Sequence, residues 1–306
     1  ALTGLKIKAR SPLPTTFTIE LANGSEGYIP PPEQHTLGGY TTWPARTAAL
    51  EVQAEPRIVS TVLTLLEKVS GTPQKRERPS ASARADSLLD AKPWGFWRLE
   101  EMDGQIAQDA TGRGRSGRLE GGFALFLEGA EAPEAGDGRH GRAVHLAGGR
   151  LVIPAEGFSP QDGFTLALSF WNGLTPDARP VGGTLLDLGQ GSVRLSVGGT
   201  DGSTGKLILT QDQDSKVLGT GDRALEPKRW HALTLHFDGE KLGVFLDGEP
   251  EIAGVSLAVP PRSLTPVAVG GSERASTRFE GKIDEVVLFD RRPDQAILQA
   301  LGVPNP

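Results

Sequence analysis

Between Lys228 and Gly248 the chain reads KRWHALTLHFDGEKLGVFLDG, and apolar and polar positions alternate along most of it. Leu233, Leu235 and Phe237 interleave with Ala232, Thr234 and His236, a period of two that gives a strand one apolar face. Asp238-Gly239 predicts a turn, because Gly and Asp both adopt positive φ at little cost. Leu242, Val244, Phe245 and Leu246 predict the return strand, and Asp247-Gly248 a second turn. Trp230 stands at the start of the hairpin, where a large ring can cap a core.

The same short alternation runs through the chain from Pro93 onward. Trp94 to Leu99, Ala143 to Leu146, Arg150 to Ile153, Phe164 to Trp171, Gly183 to Leu188, Val193 to Val197, Lys206 to Thr210 and Ser215 to Leu218 all predict strands. Val267 to Val269 and Phe279 to Phe289 predict the last ones, and Asp294 to Leu301 a terminal helical turn or two. Many short strands separated by Gly-rich turns predict an antiparallel β-sandwich over 93–306.

The N-terminal pattern is different. Leu5 to Ala9, Phe17 to Leu21 and Leu50 to Val52 predict short strands. Ala22 to Trp43 reads as a loop rich in Gly and Pro, and Glu55 to Val69 as a helix with a broad apolar stripe. That is too little to bury an independent core, so 1–71 is expected to be the end of a larger domain. Residues 72–92 mix Pro, Ser, Ala and alternating charge and predict an exposed, disordered linker. The basic residues Lys75, Arg76 and Arg78 are interrupted by Glu77 and fit a solvated linker.

The composition narrows the function. A formal charge of −6 argues against nucleic-acid or anionic-membrane partners, which call for a basic face. With Cys 0, a disulfide framework, a thiolate metal site and a cysteine nucleophile are excluded. No apolar run reaches the length of a membrane span. The chain begins at Ala1 with no Met or signal peptide and reads as a piece of something longer.

Several motifs carry resemblances. WRLEE, QDATGRGRSGRL, GRHGRAVHLAGGRLVIP, FTLALSFW, RWHALTLHFDGEKLGVFLDG and FEGKIDEVVLFDRR follow one another over about two-thirds of the chain. In this order they resemble the laminin-G-like, concanavalin A-like jelly-roll module of bacterial multidomain surface proteins. The fold class expected is therefore mainly β, a jelly roll preceded by a small α+β segment. The N-terminal loop, with Asn23, Tyr28, Ile29, Glu33 and Tyr40, resembles the end of the catalytic domain of the neutral/alkaline ceramidase family. That resemblance places Tyr28 at a catalytic zinc of a longer hydrolase. The two His and one Glu completing that zinc site have no counterpart in this chain, where His35 is the only local imidazole. Pro30 and Pro31 stand where that family tends to have Thr.

Fold alone does not give function for this sandwich. A glycosidase version needs carboxylates at even spacing on one strand, and no Glu-x-Asp-x-x-Glu occurs. Asp284 and Glu285 are adjacent and face opposite ways. The jelly-roll resemblance implies calcium held by Asp109 and Asp284 with backbone carbonyls. Otherwise Asp109 caps its own turn and Asp284 pairs with an Arg. Asp212 and Asp214 form a second acidic pair at an expected hairpin tip. Trp171 and Asn172, at a strand end, are the candidate glycan contacts, whereas Trp94, Trp97 and Trp230 are expected mainly in packing. The expected loops carry Arg113, Arg115, Arg139, Arg142, Arg274 and Arg278 and few aromatics. His231 and His236, an odd number apart, are expected on opposite faces.

The expectation is a non-catalytic binding or targeting module for a glycan or cell-surface partner, attached to a ceramidase-like hydrolase and exported from a bacterium. Part of a zinc-dependent amidohydrolase is the alternative, and a structural spacer the third.

Overall fold

A computed structural model describes residues 2–76, 82–130, 141–154, 156–160, 163–211, 216–257 and 265–304. They form two compact units, Ala1–Pro79 with Met102–Gly104, and Ser80–Glu101 with Gln105–Pro306.

The first unit is helical. It contains α1 (Leu2–Arg10), α2 (Pro32–Leu37) and α3 (Ala54–Ser70). The strand expected over Leu5–Ala9 is part of α1, because five alternating residues suit either period. The helix lets Ile7 pack on Val59 and Leu63 of α3. It also buries Lys6, whose Nζ lies 3.1 Å from Glu55 Oε2, with the two side chains 2% and 0% exposed. Phe17–Leu21 and Leu50–Val52, also expected as strands, have no regular structure. Phe17, Ile19 and Leu21 are more than 70% exposed, so no neighbouring strand or apolar face receives them. The Gly/Pro loop contains α2, with Pro32 in its first turn, where a missing N–H costs nothing. Helix α3 matches its expected span and ends on Gly71 in the left-handed conformation.

The second unit is a β-sandwich. Its first eight strands are β1 (Gly95–Trp97), β2 (Ile106–Ala107), β3 (Gly117–Glu120), β4 (Phe123–Glu128), β5 (Arg142–Ala147), β6 (Arg150–Ile153), β7 (Phe164–Asn172) and β8 (Val181–Leu188). Then come β9 (Val193–Gly198), β10 (Lys206–Gln211), β11 (Lys216–Ala224), β12 (Trp230–Phe237), β13 (Lys241–Leu246), β14 (Glu249–Ser256), β15 (Val267–Val269) and β16 (Glu280–Phe289). One sheet has the order β14-β13-β12-β7-β16-β5-β4, with β1 also on β16. The other has the order β11-β10-β9-β8-β15-β6-β3-β2. Paired strands are antiparallel, so the unit is mainly β and jelly-roll-like, as expected.

Strands β12 and β13 pair from Leu233↔Leu246 to Phe237↔Leu242. Asp238 closes their loop by accepting from the N–H groups of Glu240 and Lys241. Asp247 and Gly248 both have positive φ, 53° and 83°, the geometry of a two-residue hairpin turn into β14. At Gly148–Gly149 the chain passes from β5 in one sheet to β6 in the other. Leu166, Leu168 and Phe170 of β7, Leu233 and Leu235 of β12 and Leu186, Leu195 and Leu209 of the second sheet fill the space between sheets.

Two helices cover part of the first sheet's outer face. Helix α4 (Ala83–Asp90) lies within the segment expected to be an exposed linker. Ser82 caps it by accepting from the Ala85 N–H at 3.1 Å. Ala85 and Leu88 are buried with Phe96, Ala167, Val287 and Phe289, and with Ile297 and Leu301 from the C-terminal region. Ile297 belongs to α5 (Gln295–Ala300), capped by Asp294 and matching the expected terminal helix. The short apolar pattern of α4 is easily overlooked beside its charged flanks.

Candidate functional site

Away from these helices, the outer face of the first sheet carries a row of larger side chains. Trp230 of β12 is registered with Trp171 of β7, Trp171 with Lys282 of β16, and Lys282 with His145 of β5. Residues opposite one another in adjacent strands share a face, so the four stand side by side. Glu280 lies two positions from Lys282 and therefore on the same face. All five are half-buried.

The Lys282 ammonium lies 5.3 Å from the Trp171 ring centre and 5.8 Å from that of Trp230. It also donates to the Glu128 carbonyl at 3.1 Å. The His145 and Trp171 ring centres are 6.4 Å apart, and His145 Nε2 lies 3.1 Å from Glu280 Oε1. Two indoles beside an ammonium, an imidazole and a carboxylate offer apolar ring surface with donors and acceptors at its edge. That combination suits a sugar ring, whose C–H face is apolar and whose rim is hydroxylated.

Trp171, the expected glycan contact, is in this row. Asn172 is not beside it: the next residue of a strand points the other way, and Asn172 is only 3% exposed. Its side-chain oxygen accepts from the Leu174 N–H at 3.3 Å and its carbonyl from Lys228 at 2.7 Å, so it shapes the strand end. Trp94 and Trp97 pack as expected, with the Arg115 guanidinium 4.3 Å from the Trp94 ring centre. Trp230 is half-buried and packs beside Lys282 in this row. Sequence reasoning missed Lys282, His145 and Glu280, because only the pairing register brings β5, β7, β12 and β16 together.

Both oxygens of Asp109 are engaged. They accept from the N–H groups of Phe96, Thr111 and Arg115 and from the Thr111 hydroxyl. Burial raises the Asp109 pKa, but the hydrogen bonds from Thr111, Arg115 and Phe96 outweigh it and hold the carboxyl below its usual range. This is a turn cap. Asp284, also buried, accepts from the Ala130 N–H at 2.8 Å. Its position in β16 precedes a bulge at Glu285, whose φ is 48° and whose carboxylate faces Arg98 and Arg84.

His231 pairs with Asp247 at 2.8 Å beside Phe170, and His236 bonds Thr165 at 2.8 Å, so the two face apart as expected. Arg115 and Arg278 hold loops together through backbone carbonyls, while Arg142 packs on Phe126. Asp212, Asp214, Arg139, Arg78 and Glu77 lie outside the described residues.

In the first unit, the exposed rings of Tyr28 and Tyr40 meet edge to face with centres 5.6 Å apart. The Tyr28 N–H donates to Thr47 at 2.8 Å. A hollow of about 380 Å³ is lined by Lys6, Arg10, Glu33, Glu55, Val59 and Leu63 among others. Among the described residues, no cluster of three or more His, Cys, Asp or Glu side chains is arranged to hold a metal.

Residues 147–297 match the Laminin_G_3 family model of the concanavalin A-like lectin/glucanase superfamily. Among solved structures, the chain is similar to Trypanosoma rangeli sialidase in complex with 2,3-difluorosialic acid. The TM-score is 0.52 at 16% identity, over 80% of this chain and 39% of the sialidase. The chain thus spans well under half of that protein, and the likeness is one of fold. Domain 4 of AbnA, an extracellular arabinanase from Geobacillus stearothermophilus in complex with arabinotriose, gives 0.49 at 17% identity, over 69% of this chain and 98% of that domain. No curated protein matches the sequence. No helix among the described residues is long and apolar enough to cross a membrane.

Proposed function

We propose that the sandwich is a carbohydrate-binding module and that its ligand surface is the row Trp230, Trp171, Lys282, His145 and Glu280. The observation that carries this reading is the register: four consecutive strands each contribute one large, half-buried side chain to one patch of the outer face. The sugar ring stacks on indole, while Lys282 and the His145–Glu280 pair meet its hydroxyls. Nothing in this arrangement requires chemistry on the ligand, so the role is recognition, placing whatever is joined to the module at a glycan-bearing surface. A glycan array with the full chain, followed by titration calorimetry of the best ligand, tests it. Trp171→Ala is expected to weaken binding about tenfold, a loss of roughly 1.4 kcal/mol. A glycan bound equally well by Trp171→Ala and Trp230→Ala would contradict this surface.

A second reading concerns the first unit and rests on its exposed Phe17, Ile19, Leu21, Tyr28, Tyr40 and Trp43. We propose that this apolar surface packs against further hydrolase structure, of the ceramidase-like kind that the Tyr28 loop resembles. In such a protein Tyr28 would stand beside a catalytic zinc and help to stabilise an oxyanion. Zinc content and amide hydrolysis of an upstream-extended chain, compared with its Tyr28→Phe variant, check this. Unchanged hydrolysis in Tyr28→Phe would remove Tyr28 from the site.

Calcium at Asp109 and Asp284 is a separate proposal, supported by the burial of both carboxylates within the sandwich. At Asp109 the ion has to compete with N–H donors already in place. Thermal unfolding with calcium and with chelator decides it. A calcium-dependent rise lost in Asp284→Asn supports the ion, and no rise leaves Asp109 as a turn cap.

A further inference from the structure

Asp187 of β8 and Arg194 of β9 are paired directly across the second sheet. Their chain neighbours Leu186, Leu188, Val193 and Leu195 point into the core, so this pair stands on the opposite, outward face. Outward-facing side chains of a sheet are ordinarily solvated, yet Asp187 and Arg194 are only 4% and 5% exposed. Arg194 Nη2 lies 3.2 Å from Asp187 Oδ2. The other carboxylate oxygen, Oδ1, is buried and accepts no hydrogen bond. Beside the pair is a hollow of about 100 Å³, bounded by Asp187, Gln190, Arg194, Ser272, Glu273 and Arg274.

A buried carboxylate oxygen without a donor is costly and uncommon, and a cavity next to it invites a group that supplies the missing hydrogen bond. Among the described residues bounding the hollow, two acids, Asp187 and Glu273, stand with two guanidinium groups, Arg194 and Arg274. Such a setting favours neither a free anion nor a bare cation. It suits a neutral molecule that donates to the carboxylate and accepts from a guanidinium at neighbouring atoms. Adjacent hydroxyls do both, since each carries one O–H and two lone pairs.

We propose that this hollow is a second carbohydrate site, taking a vicinal diol of a neutral sugar. One hydroxyl donates to Asp187 Oδ1. The neighbouring hydroxyl oxygen accepts from the Arg274 guanidinium. The hollow corresponds to about three waters at roughly 30 Å³ each in the liquid, enough for the diol edge of one ring rather than for an oligosaccharide. It belongs to the other sheet and stands independently of the Trp171 row.

Saturation-transfer NMR of the full chain carrying Trp171→Ala, with galactose and mannose as probes, tests the site with the tryptophan row impaired. The expected result is transfer to the sugar, concentrated on the protons of one diol. Adding Asp187→Asn is expected to weaken binding at least tenfold. Gln190→Gly leaves the buried pair intact and suits the positive φ of 54° at that position, so it serves where Asp187→Asn disturbs folding. It is expected to weaken binding several-fold. No transfer in the Trp171→Ala chain, or transfer undiminished by both further substitutions, would overturn the proposal. Either result leaves the reading of the Trp171 row untouched, because that row is judged with Trp171 present.

Discussion

The two units solve the burial problem differently. In the sandwich, two sheets face each other over a continuous core, and among the described residues only Ile106 and Val217 are large hydrophobics left exposed. The first unit buries little more than Ile7, Val59 and Leu63. It exposes Leu5, Leu13, Phe17, Ile19, Leu21, Tyr28, Ile29, Leu37, Tyr40, Trp43, Val52, Leu65 and Val69. Scattered exposed hydrophobics are normal, but this density on a small unit marks an interaction surface. The sandwich has a continuous core of its own, whereas the first unit leaves most of its large hydrophobic side chains exposed.

The comparison can be broken most directly in the cores. Phe170→Ala removes a fully buried ring between the sheets and is expected to cost about 3–5 kcal/mol in denaturant unfolding. Phe17→Ser, on the exposed surface, is expected to change stability by less than about 0.5 kcal/mol while reducing self-association or dye binding. Equal losses from the two substitutions would erase the contrast between the units.

The buried pair of the first unit comes next. Lys6→Ala leaves the Glu55 carboxylate buried without its partner, and breaking such a pair costs roughly 3–5 kcal/mol. Hydrogen exchange should report this as lost protection in α1 and α3. Lys6→Met with Glu55→Leu removes both charges and should recover most of that protection. If Lys6→Ala leaves exchange unchanged, the pair does not hold α1 on α3.

The smallest effect is the pH response of the sandwich. Burial, then the nearby Arg292, lowers the His236 pKa below its ordinary 6.5, against the opposing pull of Asp238. The unfolded chain therefore takes up a proton at this site before the folded chain does. Its contribution to stability is present above pH 6.5 and is lost as pH falls through the lower folded value. Asp109 behaves alike further down, contributing above about pH 3.8 and losing that contribution as pH falls through its depressed folded pKa. Urea unfolding between pH 7.5 and 5.5 should show a decline that His236→Gln flattens. A decline unchanged in His236→Gln would assign it to other groups.

Much of the sandwich was legible because its signals are local. The period-two runs of β7 and β12 and the Asp-Gly turns fix strands and their ends without reference to distant chain. Strand β14 was less legible, since Glu249-Pro250-Glu251 masks its later apolar residues, and β4 lay outside the obvious alternation. In the first unit, alternation over five residues could not separate strand from helix; in the helix Ile7 packs on Val59 and Leu63 while Lys6 meets Glu55, 49 residues away. The proposed row was only partly legible. Trp171 could be singled out from its position at a strand end, but its fellowship with Trp230, Lys282 and His145 is a matter of register across four strands. Asn172, the next residue of the strand, is buried on the opposite face from Trp171. The Asp187–Arg194 hollow had no sequence signal, because alternation predicts an outward, solvated pair there.

The tryptophan row is most directly tested by the indole N–H signals of the five tryptophans, followed during titration with the best glycan from the array. Trp171 and Trp230 are expected to shift with saturation, while the core residues Trp94 and Trp97 stay in place. A bound glycan that leaves the Trp171 and Trp230 signals unmoved would contradict the assignment of this face as the binding surface.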